Sequence, residues 1–188
     1  MVIGLVGPSL SGKDFLVKTI LELAQDKHIA VVNTGKLLKQ TLDFWGIHGT
    51  GRNYSKLVEI MCTAYGEHTF SKVIFREVTN VLHTHHAVII NAIRLIPDLL
   101  MLQSFPSIVV AITADYEVCF QRTKDRRDKV GEGSQTFEQF LEERQTYTER
   151  DITTISRYAV VPPLTNNGTR EEFREQIVQL YAYKIGQI

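Results

Sequence analysis

The chain has 188 residues, 44% of them hydrophobic and 22% charged, with 21 Lys and Arg balanced by 21 Asp and Glu. That length and composition suit one compact domain over residues 1–188 and exclude a disordered or fibrous chain. Zero formal net charge gives no overall pull toward nucleic acid or an anionic membrane, so anion binding must come from local clusters. No apolar run reaches membrane-spanning length. Cys62 and Cys119 are too few and too far apart for a disulfide scaffold, which fits a reducing compartment. No signal peptide is expected ahead of the first strand, and the expected location is cytoplasmic.

The first apolar run, Val2 to Val6, reads as a strand, and helical periodicity follows from Lys13 to Gln25. Between them lies Gly7-Pro8-Ser9-Leu10-Ser11-Gly12-Lys13-Asp14. Its glycine and lysine spacing fits the phosphate-binding loop G-x-x-x-x-G-K-[ST] at every position but the last. Glycines let successive N–H groups turn inward onto a phosphate, and the following helix aims its positive end at the same place. Lys13 then reaches the β- and γ-phosphates as a mobile charge. ATP is therefore expected on Gly7, Ser9, Leu10, Ser11, Gly12, Lys13, Asp14 and Phe15. Asp14 stands where a hydroxyl ordinarily touches magnesium.

Further apolar runs at His28 to Val32, Ala87 to Ile90, Ile108 to Ile112 and Tyr158 to Val161 read as strands. Continuous rather than alternating apolar character is what strands buried on both faces require. Helical patterns fill the gaps at Lys36 to Phe44, Tyr54 to Tyr65, Thr69 to Leu82, Ile96 to Leu102, Tyr116 to Arg126, Thr136 to Tyr147 and Arg170 to Tyr183. Such alternation implies an α/β chain with a parallel sheet and right-handed crossovers, its ligands beyond the carboxyl ends of the strands.

Asn33-Thr34-Gly35-Lys36-Leu37-Leu38-Lys39 follows the second strand, and Gly49-Thr50-Gly51-Arg52-Asn53-Tyr54 precedes a helix pair broken at Tyr65-Gly66. These segments resemble, respectively, the T-G-D-L-L-R helix start of adenylate-kinase-like nucleoside monophosphate kinases and an Arg-Asn helix start in their dephospho-coenzyme A kinase and deoxynucleoside monophosphate kinase branch. The resemblance implies that Thr34, Lys39 and Arg52 hold a phosphorylated acceptor. Read alone, the lysines suit a capped amphipathic helix and Arg52 an ordinary loop. Phe44, Trp45 and Tyr54 suit either an acceptor pocket or core. His83, His85 and His86 lack ligand spacing to a Cys or carboxylate and read as a helix C-terminus favoured by the dipole.

The third strand ends Asn91-Ala92-Ile93-Arg94, where the family has an apolar run, D-G and a phosphate-binding Arg. Arg94 matches; Asn91 replaces the magnesium-shell Asp. The helix after the fourth strand carries Arg122 and Arg126, four apart on one face, resembling the family's lid-base arginines; a solvated helix end is the other reading. Thr136 to Arg144 resembles the T-x-E-E-F-x-x-R stretch after the lid and opens with a capping box, which makes Arg144 a substrate-binding candidate. Glu149-Arg150-Asp151 read as surface or hinge residues. Asn166-Asn167-Gly168-Thr169 resembles the N-[DN]-G-[ST] turn beside adenine, so Asn167 and Gly168 are nucleotide-side candidates.

The resemblance covers nearly the whole chain in the correct order. It implies a three-layer P-loop fold with strand order 2-3-1-4-5, an acceptor-binding helical region from about 34 to 82 and a short lid from about 124 to 135. The implied activity is phosphotransfer from ATP with Mg2+ to a small phosphorylated acceptor, with Lys13, Arg94, Arg122 and Arg126 as catalytic charges. Asp14 and Asn91 are read jointly: the acidic magnesium ligand has moved from the third strand to the loop, with Asp14 as the metal residue. A nucleotide-binding protein without catalysis is the competing class. A nucleic-acid kinase would need a basic face that zero net charge does not give.

Overall fold

In the computed structural model, the described residues are 1–25, 28–125 and 135–186. Five strands, β1 (Val2–Val6), β2 (Ile29–Val32), β3 (Ala87–Ile90), β4 (Ser107–Thr113) and β5 (Leu164–Thr165), form a parallel sheet in the order β2-β3-β1-β4-β5. Among the described residues nine α-helices accompany them, the last continued by a π-helical turn at Tyr181–Ile185: α1 (Lys13–Ala24), α2 (Thr34–Phe44), α3 (Gly51–Tyr65), α4 (Thr69–Leu82), α5 (Ile96–Leu102), α6 (Tyr116–Asp125), α7 (Phe137–Glu143), α8 (Ile152–Ser156) and α9 (Arg170–Leu180).

Alternation along the strands explains the uninterrupted apolar runs. Val2, Val6, Val88, Ile90, Val109 and Ala111 face one layer, where α3, α4, α5 and α8 contribute Val58, Ile74, Leu102 and Ile155. Ile3, Leu5, Ile89, Val110 and Ile112 face the other, against Leu16 and Ile20 of α1 and Phe173 and Ile177 of α9. Both sides of each central strand are dry, so neither can carry polar residues. A third, smaller cluster around Phe140 and Cys119 ties α6 to α7. No described helix is long and apolar enough to cross a membrane.

The expected strand at Tyr158 to Val161 is a correction: the fifth strand is Leu164–Thr165. Val160 N donates to Val109 O at 3.1 Å, but Tyr158 and Val160 are exposed. Pro162 and Pro163 have no N–H to continue a ladder. Pairing resumes only after them, and Asn166 N then reaches Thr113 O at 2.9 Å. The helix expected over Thr136 to Tyr147 stops at Glu143, while the short α8 carries no periodic signal long enough to read. The capping box at Thr136 is present: Thr136 Oγ1 accepts from Gln139 N, and Gln139 Oε1 accepts from Thr136 N. Caps also start α2 and α3 earlier than periodicity does, through Asn33 Oδ1 and Thr50 Oγ1. Most of the expected lid, including Arg126, lies outside the described residues.

Candidate nucleotide and acceptor site

At the carboxyl end of β1 the chain turns through residues 7–12 into α1. Two positions need the left-handed region: Leu10, at φ 68°, and Gly12, at φ 107°. Gly12 also has no room for a side chain, since a Cβ there would lie 2.2 Å from Asn166 Nδ2. Asn166 cannot yield easily, because its Nδ2 donates to Ser11 O at 2.8 Å. Gly12→Ala is therefore expected to cost about 2 kcal/mol or more, read as a lowered unfolding midpoint together with loss of ATP binding.

Lys13 folds back over the loop, its Nζ donating to Gly7 O at 2.8 Å and to Pro8 O at 2.7 Å. It is buried, and burial followed by the neighbouring Arg94 charge lowers its pKa to about 7, against the pull of Glu149 and Asp14. A phosphate placed against this ammonium would favour its charged form. Binding of MgATP at pH 8 is thus expected to take up about one proton, falling toward none by pH 6. Calorimetry in two buffers of different ionisation enthalpy checks this, with Lys13→Met losing the uptake.

Arg122 braces the loop from behind. Its Nη1 donates to Leu10 O at 3.0 Å, and its Nη2 to Asn166 O and Oδ1 at 2.8 and 3.0 Å. Asn166, a member of the turn motif not singled out in the sequence, is thus the link between the β5 end and the loop. Its neighbour Asn167 accepts from Asp115 N at 2.8 Å through Oδ1. Gly168 sits in the capping turn of α9. Phe15 turns its ring away from the loop onto Phe173, with Arg170 stacked over it.

In front of the loop lies a cavity of about 720 Å³. It brings together Ser9, Leu10, Gly12, Lys13, Asp14, Thr34, Lys39 and Arg94 among the expected residues, and adds Lys36, Tyr54, Phe70, Asn91 and Thr148. Thr34 is buried and anchors α2 to the β3 end through a 3.3 Å bond to Ala92 O. Lys39 pairs with Asp43 on its own helix, both exposed. Arg52 is outside the cavity and exposed, 4.0 Å from Glu142 of α7. Phe44 and Trp45 are exposed at 83% and 70%, so neither pocket nor core holds them; only Tyr54 of the three aromatics lines the cavity. Among the described residues no His, Cys, Asp and Glu cluster has metal-holding geometry, the histidines before β3 included.

The two irregular positions meet. Asn91 Nδ2 donates to Asp14 Oδ1 at 2.8 Å across 77 residues of sequence. Behind Ser9, Arg94 Nη1 pairs with Glu149 Oε1, while Arg144 Nη1 lies 3.4 Å from both Glu149 Oε2 and Ser9 O. Glu149 is only 11% exposed, and Asp151 accepts from Ile96 N at 3.0 Å. The surface or hinge reading is therefore corrected for Glu149 and Asp151, while Arg150 between them is exposed as expected. Sequence gives little sign of this, because an Arg-Glu pair 55 residues apart leaves no local pattern.

No family model matches the chain, and no curated protein matches it. Solved structures do. TT1252 from Thermus thermophilus aligns at TM-score 0.63 and 16% identity, covering 98% of this chain and 97% of that one. Shikimate kinase from Bacteroides thetaiotaomicron aligns at 0.58 and 14%, covering 97% of each. Shikimate kinase from Acinetobacter baumannii, solved in complex with shikimate, aligns at 0.52 and 16%, covering 99% and 93%. The chain shares the fold of these three structures, two of which are shikimate kinases.

Proposed function

We propose that the chain is an ATP-dependent phosphotransferase that moves the γ-phosphate to a small phosphorylated acceptor of nucleoside monophosphate or dephospho-coenzyme A type. The observation that carries this reading is the single cavity shared by the loop, Lys13, Asp14, Arg94 and the start of α2. Phosphoryl transfer needs alignment and charge cancellation more than covalent chemistry. The loop amides and Lys13 hold the donor phosphates, Arg94 faces the transfer position, and Thr34, Lys36 and Lys39 face the acceptor. Tyr54 and Phe70 offer the acceptor an apolar wall.

The residues present fit magnesium. Asp14 is the one carboxylate among the described residues lining the cavity, and its Oδ2 is left free by the Asn91 bond to Oδ1. Magnesium takes one or two carboxylates with phosphate oxygens and water, so this single residue suffices. The ion would offset charge on the donor phosphates. Asn91, an amide without charge, orients the Asp14 carboxylate.

A second reading rests on that same Asn91: a nucleotide-binding protein that does not catalyse. A coupled ADP-release assay separates the two, run with each ribo- and deoxyribonucleoside monophosphate, dephospho-coenzyme A, phosphomevalonate and shikimate. Turnover on a phosphorylated acceptor supports the proposal. ATP binding in calorimetry with no turnover on any acceptor favours the second reading, and turnover on shikimate alone replaces the acceptor class.

A further inference from the structure

Arg94 and Arg144 come from different parts of the chain, one from the loop after β3 and one from the end of α7, yet both converge on a single carboxylate. Glu149 uses one oxygen for each: Oε1 for Arg94 and Oε2 for Arg144. All three side chains are largely buried, at 17%, 9% and 11% exposure for Arg94, Arg144 and Glu149. The group straddles the loop at Ser9. Arg94 lines the cavity in front, while Arg144 and Glu149 line a separate cavity of about 520 Å³ beside Pro8.

The segment that carries Glu149 is itself fixed at several points. Thr148 N donates to Ser55 Oγ of α3 at 3.1 Å, and Ile96 N donates to Asp151 Oδ2. The backbone of the arginine loop is held from the other side, with Arg94 N and Leu95 N donating to Asp98 Oδ2 at 2.9 and 3.0 Å. Arg144 is further packed over the Phe140 ring at 4.3 Å. Two long cationic side chains would otherwise repel each other and sample many rotamers near the loop. One anion between them removes the repulsion and leaves a net positive charge toward the cavity.

We propose that Glu149 is the positioning residue of the transfer site: it holds Arg94 and Arg144 in place beside the loop so that neither must be ordered when the phosphate chain arrives. This rests on the phosphotransfer reading for its catalytic consequence. Its structural content is independent of the acceptor. The opposite role, an internal anion that competes with phosphate, predicts effects of the opposite sign.

The test compares the wild type with Glu149→Gln and Glu149→Asp, with unfolding midpoints measured for each. On the best acceptor, Glu149→Gln is expected to lower kcat by about 100-fold and to raise KM for ATP by about tenfold, in step with weaker holding of its phosphate chain. Glu149→Asp is expected to recover at least about tenfold of that loss. A second readout needs no acceptor: calorimetric binding of inorganic triphosphate. Removing a negative charge should tighten it on electrostatic grounds alone, whereas loss of positioning weakens it by about tenfold in Glu149→Gln. Tighter or unchanged binding overturns the proposal, as does a kcat loss that Glu149→Asp fails to relieve. If the wild type turns over no acceptor while Glu149→Gln still binds triphosphate more weakly, the phosphotransfer reading fails and the positioning role stands.

Discussion

Replacing Lys13 with methionine is expected to lower turnover by about 10³-fold while the fold survives. Methionine keeps most of the lysine volume, so the packing around α1 changes little. The folded state now places a buried ammonium against two loop carbonyls, at a cost visible in the pKa lowered to about 7. Removing that charge relieves the burial cost, although Gly7 O and Pro8 O lose their donor. These effects oppose each other, and the unfolding midpoint should stay within about 4 °C of the wild type. On the proposed function, what is lost is the one Lys or Arg of residues 7–14, the charge expected to meet the γ-phosphate. A stable, inactive variant is thus the expected pattern, and steady-state kinetics beside thermal unfolding checks it.

Asp14→Ala is expected to abolish magnesium-dependent turnover, with kcat reduced by about 10³-fold or more. Asp14 is exposed at the start of α1, and its one side-chain bond among the described residues comes from Asn91. Its removal therefore costs little stability. A carboxylate facing a triphosphate is repulsive without a metal and a good hard ligand with one. Undiminished turnover in Asp14→Ala would mean that the metal is held without this carboxylate.

The parts of the molecule that sequence made legible are those with local patterns. The glycine and lysine spacing fixed the loop, and the apolar runs of β1, β3 and β4 fixed the sheet, because a central strand dry on both faces has no polar positions to confuse the reading. Caps were less legible as boundaries: periodicity began α3 at Tyr54, whereas Thr50 Oγ1 starts it at Gly51. The fifth strand was misplaced because Tyr158 to Val161 has strand composition, and composition does not show that Pro162 and Pro163 interrupt the ladder.

Long-range pairs were the least legible part of the site. Asp14 and Asn91 could be linked only because both depart from a motif whose members are known to face one another. Glu149 and Asn166 depart from nothing. Glu149 sits in a charged Glu-Arg-Asp run that reads as solvated, and its burial depends on α3, the loop after β3 and α7 meeting behind Ser9. Arg122 was legible as an arginine of the site. The structure, however, aims it at the carbonyls of Leu10 and Asn166, a bracing contact that spacing alone does not distinguish from a phosphate contact.

In the proposed function Asp14, oriented by Asn91, is the metal carboxylate of a working ATP site. Calorimetric binding of ATP with and without magnesium, to the wild type and to Asp14→Ala, tests it most directly. Magnesium is expected to tighten ATP binding to the wild type by about tenfold or more and to Asp14→Ala by less than about threefold. Metal-free ATP should bind Asp14→Ala more tightly than the wild type, because a repelling carboxylate has gone. An equal magnesium response in the two proteins, with metal-free ATP binding both alike, would contradict the account.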